Sequence, residues 1–295
     1  MKVKITQKKI IQYKNVFGKY WYKYSKKKLS VVGLCIIVTI IFIACFAPII
    51  VPYPDHIGPF IDLLKGSSPP SLSHFFGTDI YGRDIFSRTL FAFRPALLTG
   101  VVVLSIIVPI GTLLGLLAGY YIGRFIDIII MRIADIFLSL PALILALAIS
   151  SILEPKLFNT MIAVSVACWP WYTRIAYSMT SSIRNEFYIK SAELIGESIP
   201  RILFYEVLPN IISPIFTKIA LDFGWVIIIS AALSFVGLGE QPPAPALGTM
   251  ISEGSKFLPN QWWESIFPGL AIVFIILGFN LLGDGMRDML ASEEV

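Results

Sequence analysis

The sequence predicts an all-α integral membrane protein with six transmembrane helices, and three observations carry that expectation. The 295 residues are 56% hydrophobic and 15% charged with a mean hydropathy of +0.77, too apolar for an ordinary soluble domain. Six apolar runs each approach or exceed the ~20 residues that a helix needs to cross hydrocarbon. Lysine and arginine are spread unevenly over the segments between those runs, as the positive-inside bias requires.

In chain order, residues 1–28 form a basic tail with ten lysines and no acid, and Lys26, Lys27 and Lys28 stand at the membrane boundary. Such a tail is predicted to stay in the cytoplasm. The run 29–51 exceeds the apolar core of a signal peptide and lacks an ordinary cleavage site, so it is predicted as the first transmembrane helix. A loop follows at 52–94. Five more spans are predicted within 95–290, at 95–122, 125–151, 158–180, 211–237 and 265–288, and 291–295 is a short tail. Six crossings from an inside start put both termini in the cytoplasm, the 52–94 loop outside, and the polar break 184–210 inside. About 18 of the 24 Lys and Arg then fall on the cytoplasmic side. The net charge of +5 reports orientation; no basic and aromatic surface for nucleic acid is expected.

The break 184–210, RNEFYIKSAELIGESIPRILFYEVLPN, reads as two helices joined by a tight turn. Gly196 suits the left-handed position after a helix end, Ser198 a capping position, and Pro200 a first turn, with Pro209 at the end of the second helix. The expected product is an angular knob standing off the membrane. Such a shape suits transmission of force to a soluble partner.

Within the spans, Gly111, Gly115, Gly119 and Gly123 recur every four residues and form a small-residue ridge, for packing within this chain or on a second membrane subunit. Pro109, Pro141 and Pro170 each remove a backbone donor and can kink the second, third and fourth spans. Arg132 with Asp135, and Lys218 with Asp222, are spaced to neutralise each other on one helix face. Trp169, Trp171 and Tyr172 flank Pro170, either lining a path or filling space beside a kink. Trp262 and Trp263 read as interfacial anchors. Cys35, Cys45 and Cys168 are scattered through spans, and His56 and His74 lack metal-site spacing, so no metal is expected.

The chain has no phosphate-binding loop, no nucleophile elbow and no paired catalytic carboxylates, so it is expected not to be an enzyme. If ATP drives it, another chain hydrolyses the ATP.

Several stretches carry a family resemblance. Lys190, Ser191, Ala192, Gly196, Leu208 and Pro209 fit the spacing of a cytoplasmic EAA-type loop. GTDIYGRD (Gly77 to Asp84), MRIAD (Met131 to Asp135) with Pro141, ALSFVGLG (Ala232 to Gly239) before Pro242 and Pro243, and NLLGDGMRD (Asn280 to Asp288) are more specific. From Leu29 to Leu290 the chain resembles the second, C-type permease subunit of binding-protein-dependent ABC importers of the dipeptide and oligopeptide group. It departs at Lys190, where the loop's name implies glutamate, at Ser191 in place of alanine, and at Glu206, an acid where an apolar residue or histidine is usual.

The resemblance implies a type I (MetI-like) permease fold in which 95–290 is the core and 184–210 the coupling loop, with a cytoplasmic coupling helix. It implies a heterodimer with a second permease in the cytoplasmic membrane and two ATP-binding subunits beneath, which hold ATP and Mg. An extracellular solute-binding protein delivers the solute above, and this chain carries no cofactor. Short peptides are the implied solute, with oligosaccharides or a nickel or other metal chelate as alternatives. An ion-coupled carrier predicts unpaired intramembrane acids and internal repeats, and neither is found. The charges of GTDIYGRD either contact the delivering protein or hold local turns.

Overall fold

The computed structural model describes Gly18 and residues 21–290. The predicted tail at 291–295 and most of the basic tail lie outside the described residues. Among the described residues the regular elements are helical, apart from one isolated antiparallel bridge between Thr78 and Asp84. In chain order they are α1 (Lys28–Ile50), α2 (Ile85–Tyr120), α3 (Phe125–Leu138), α4 (Ala142–Ser150), α5 (Leu157–Ile183), α6 (Phe187–Leu194), α7 (Ile199–Phe235), α8 (Leu247–Ser255) and α9 (Trp263–Leu290), with short 3-10 turns at Pro54–Ile57 and Leu63–Lys65.

Helices α1, α2, α7 and α9 are long and apolar enough to cross a membrane, and α3 with α4 adds a fifth crossing if the bent pair is one span. The fourth expected span corresponds to α5, whose 27 residues are long enough but whose sequence carries Asn159, Arg174 and many Ser and Thr. The expected count of six therefore includes two elements that do not reach the apolar threshold by themselves.

The third span is not the single helix expected over 125–151. It breaks by 85° between α3 and α4. Pro141 has no N–H for the carbonyl of Phe137, and it drives Leu140 out of the helical region. The second span also differs, because α2 starts at Ile85, inside the expected 52–94 loop. Asp84 starts it early, its carboxylate accepting the Ser87 N–H at 2.7 Å.

The most intimate packing is α2 on α5. A Cβ added at Gly111 would lie 2.6 Å from the Trp169 carbonyl, one at Gly115 2.5 Å from the Thr173 carbonyl, and one at Gly119 2.7 Å from the Thr180 Cβ. Three of the four ridge glycines thus let α2 touch the backbone of α5 within this chain. Gly123 is a correction to the expected ridge: α2 has ended at Tyr120, and Gly123 sits in the following turn with φ +76° and no neighbour for a Cβ. Gly115→Val is expected to force the helices apart at a cost of about 1–3 kcal/mol. That cost should appear as a lower Tm of the purified protein, and an unchanged Tm would contradict the close packing.

On the other side α1 lies along α9, with Gly33 against Leu281 and Gly278 against Ile36. Lys27 and Asp288 form an ion pair where the two helices end together. The helix α8, which sequence reading missed, tucks between α7 and α9; a Cβ at Gly248 would meet the Ala231 carbonyl at 2.2 Å.

The segment 52–84 folds over the end of the bundle opposite the Lys27–Asp288 pair, and GTDIYGRD is its knot. Gly77 and Gly82 take φ of +76° and +79°, and Asp79 accepts from the Arg83 side chain at 2.7 Å. Arg88 is buried, its Nη1 directed at the carbonyls of His56 (3.2 Å) and Pro243 (3.1 Å). Trp263 is buried and donates to the Thr78 carbonyl at 3.3 Å, so it clamps this loop and is not the interfacial anchor expected; Trp262 stays exposed. The GTDIYGRD charges serve local turns and buried contacts here.

His56 packs between Tyr53 and Phe60, and its Nδ1 accepts the Asp84 N–H at 2.9 Å, which requires a neutral ring. Burial, and after it the neighbouring His74, pushes its pKa below the ordinary 6.5 against the pull of Asp84. The unfolded chain then binds this proton more readily than the folded one. The stability that neutral His56 contributes is therefore complete above the ordinary pKa and lost as pH falls through it. The Tm is expected to hold from about pH 8 to 7 and to fall as the pH drops below about 6.5, and His56→Phe to flatten that fall.

Candidate functional site

Between α5 and α7 the chain leaves the bundle and builds an angular knob. α6 starts after Glu186 and buries Ile189 and Ala192, while Phe187, Leu194, Ile195 and Tyr205 are each 75–87% exposed. On α6 the exposed Phe187 and Leu194 face away from the buried pair, because residues two apart on a helix point about 200° apart. The knob thus holds on by one stripe and presents an apolar crest.

Gly196 ends α6 with φ +79°; its N–H donates to the Glu193 carbonyl at 3.0 Å and the Glu197 N–H to the Ala192 carbonyl at 3.0 Å. That pair of bonds is the Schellman closure, and it needs a left-handed residue at the turn. Pro200 lies in the first turn of α7. Ser198 precedes that turn but makes no side-chain capping bond, contrary to the sequence expectation. The second helix does not end at Pro209 either. Instead α7 continues through Leu208 and Pro209 to Phe235, with a π-helical stretch at Ile202–Val207. Pro209 offers no N–H to the Tyr205 carbonyl, and the wider turn just before it absorbs that defect. The knob and the fifth span are therefore one rod.

Lys190 and Ser191 are exposed on α6, Ala192 is buried, and Leu208 is half-buried where α7 enters the bundle. What fixes the knob to the bundle lies outside the six residues picked from sequence. The Glu193 carboxylate accepts the Tyr120 hydroxyl at 2.5 Å and pairs with Arg184 at 2.8 Å. Arg184 also donates to the Tyr120 carbonyl at 3.0 Å and lies 4.3 Å from the Tyr120 ring centroid. This latch joins the ends of α2 and α5 to α6. The Tyr120 hydrogen bond first, and Arg184 after it, hold the Glu193 carboxyl below the usual carboxylate range. No local sequence pattern relates residues 73 apart, so only the fold reveals it.

Of the intramembrane pairs, Lys218 and Asp222 meet as expected, at 3.0 Å. The Arg132–Asp135 pair is a correction: Asp135 pairs with Arg174 of α5 at 2.5 Å, and Arg132 is exposed. The break at Pro141 folds the third span against α5, which brings the Arg174 guanidinium to the Asp135 carboxylate while Arg132 stays exposed.

Over residues 111–293 the chain matches the model of the binding-protein-dependent transport system inner membrane component, and over 16–70 that of the N-terminal transmembrane domain of oligopeptide transport permease C. It is 43% identical over 265 residues to a dipeptide transport system permease protein of Alkalihalophilus pseudofirmus, covering 90% of this chain and 86% of the relative. A probable D,D-dipeptide transport system permease protein of Escherichia coli is 40% identical over 89% of this chain and 87% of its own length. A di/tripeptide transport system permease protein of Pseudomonas aeruginosa is 40% identical over 94% and 92%.

Proposed function

This chain belongs to the family of binding-protein-dependent transport system inner membrane components, and we propose that it is the C-type permease of an ATP-driven importer of short peptides. The observation that carries the coupled, motor-driven reading is the knob: an apolar crest on α6, latched to the ends of α2 and α5, beside α7, which runs unbroken from the knob into the bundle. The peptide assignment is supported by relatives named for dipeptide, D,D-dipeptide and di/tripeptide transport at 40–43% identity over most of the chain.

In this reading the knob, the N-terminal tail and the C-terminus face the cytoplasm of a multi-pass inner-membrane protein, and the 52–84 segment faces outward. A second permease completes the pathway. Two ATP-binding subunits grip Phe187, Leu194, Ile195 and Tyr205 and bind the ATP and Mg; Ser198, Pro200, Arg201, Phe204 and Tyr205 line an 800 Å³ groove on the same knob. A solute-binding protein delivers peptide from outside. The chain performs no bond chemistry. Closure of the ATPases moves α6, the Glu193 latch pulls on α2 and α5, and the continuous rod of α7 tilts. ATP drives this only because its affinity differs between the two states of the assembly.

The direct test is uptake of labelled dialanine by cells lacking this chain and by cells with it restored. Loss on deletion and recovery on restoration are expected. Undiminished dialanine uptake on deletion, with loss of an oligosaccharide or a nickel chelate instead, would replace the peptide assignment.

A further inference from the structure

Where α3 breaks, α5 and α7 border an open cleft of 440 Å³ lined by Leu138, Trp171, Arg174, Lys218, Asp222 and Trp225. The volume falls within the roughly 300–1,000 Å³ of small-molecule sites. Arg174 and Lys218 stand six and seven residues, roughly 10 Å, inside the knob ends of the spans 158–180 and 211–237. Yet the side chains of Arg174 and Asp135 are 53% and 39% exposed. A charge facing lipid at that depth costs about 2.5–3.5 kcal/mol or more, so this face borders water or protein.

The chemistry of the wall is specific. Lys218 bridges Asp222 at 3.0 Å with its ammonium 5.7 Å and 5.8 Å from the Trp171 and Tyr172 ring centroids, and Arg174 bridges Asp135 at 2.5 Å. Each cation thus has one carboxylate partner, and Arg174, Lys218 and Asp222 line the same cleft. We propose that this cleft is a subsite for the charged termini of a zwitterionic peptide, Lys218 and Arg174 receiving its carboxylate and Asp222 its ammonium. The proposal rests on the peptide reading above.

A zwitterion entering here exchanges the Lys218–Asp222 bridge for bridges of the same kind to its own two termini. Opposite charges are replaced like for like, so binding is shallow, as passage requires of a site that must also release. The termini are common to all short peptides whatever their side chains, and Trp171 and Trp225 supply sequence-tolerant apolar walls. A path for neutral sugars has no use for two bridges of this kind.

The test uses the complete importer, with both permeases, ATPases and binding protein, in proteoliposomes. Lys218→Met with Asp222→Leu removes the pair without stranding one buried charge. Dialanine taken up per ATP hydrolysed is expected to fall at least about tenfold, the scale of losing a desolvated charge contact. Protection of Leu138→Cys from a maleimide by dialanine during turnover is expected in the parent and lost in the double variant. An unchanged ratio, a parallel fall of uptake and hydrolysis, or equal protection in both proteins overturns the subsite while leaving peptide import standing. A parent that takes up no dialanine overturns the peptide reading and the subsite with it.

Discussion

Gly196→Val is expected to abolish most transport while the chain still reaches the membrane. The turn holds Gly196 at φ +79°, and an added Cβ has no neighbour within 4 Å, so the substitution acts through the backbone alone. A β-branched residue in that conformation costs on the order of 1–3 kcal/mol, which α6 escapes by unwinding its last turn. Unwinding breaks the paired bonds to Ala192 and Glu193 and tips the apolar crest out of register with the ATPases. Uptake should fall at least about tenfold, the equivalent of 1.4 kcal/mol, with the amount of membrane protein nearly constant. Gly196→Asn should lose least, because asparagine tolerates the left-handed region, and Gly196→Ala should fall between. Normal uptake by the valine variant would show that the angle of the knob does not matter.

Arg88→Met is expected to have the largest effect on stability. Arg88 is 2% exposed and anchors the 52–84 segment and the Pro243 loop to the start of α2 through the carbonyls of His56 and Pro243. Methionine fills the space and supplies no donor. The His56 and Pro243 carbonyls lose the buried Arg88 donor and Asp79 a nearby cation, a loss of about 3–5 kcal/mol by analogy with broken buried pairs. The Tm of the purified complex should drop by on the order of 10 °C, and accumulation should fall with it. Arg88→Lys, which keeps the charge and a donor, should recover part of the loss. A methionine variant with the parental Tm would mean that the segment is held elsewhere.

Features set by local chemistry were legible in the sequence: the spans from apolar runs, the turn at Gly196 from its glycine, the Lys218–Asp222 bridge from its four-residue spacing, and a kink at Pro141, though not the 85° break found there. Features set by distant partners were not. Asp135 has Arg132 one turn away, and sequence spacing had no means to show that a bent third span hands it to Arg174. The latch of Tyr120, Arg184 and Glu193 draws on three separate elements, none with an unusual local pattern. Gly123 continues the four-residue phase of the ridge, but phase does not reveal where a helix stops. Trp263 looked like an anchor because residue type suggests the interface, whereas its indole N–H finds the Thr78 carbonyl. The helix α8 was missed because nine residues with two glycines and polar side chains carry little periodic signal.

The central claim is that the knob receives work from a separate ATP-hydrolysing partner. Proteoliposomes containing the full importer, loaded inside with ATP or a non-hydrolysable analogue and given labelled dialanine and the binding protein outside, measure it most directly. Accumulation of dialanine against its gradient is expected only with hydrolysable ATP and only when the ATPase subunits are present. Accumulation by the permeases alone, or with the analogue in place of ATP, would contradict the account.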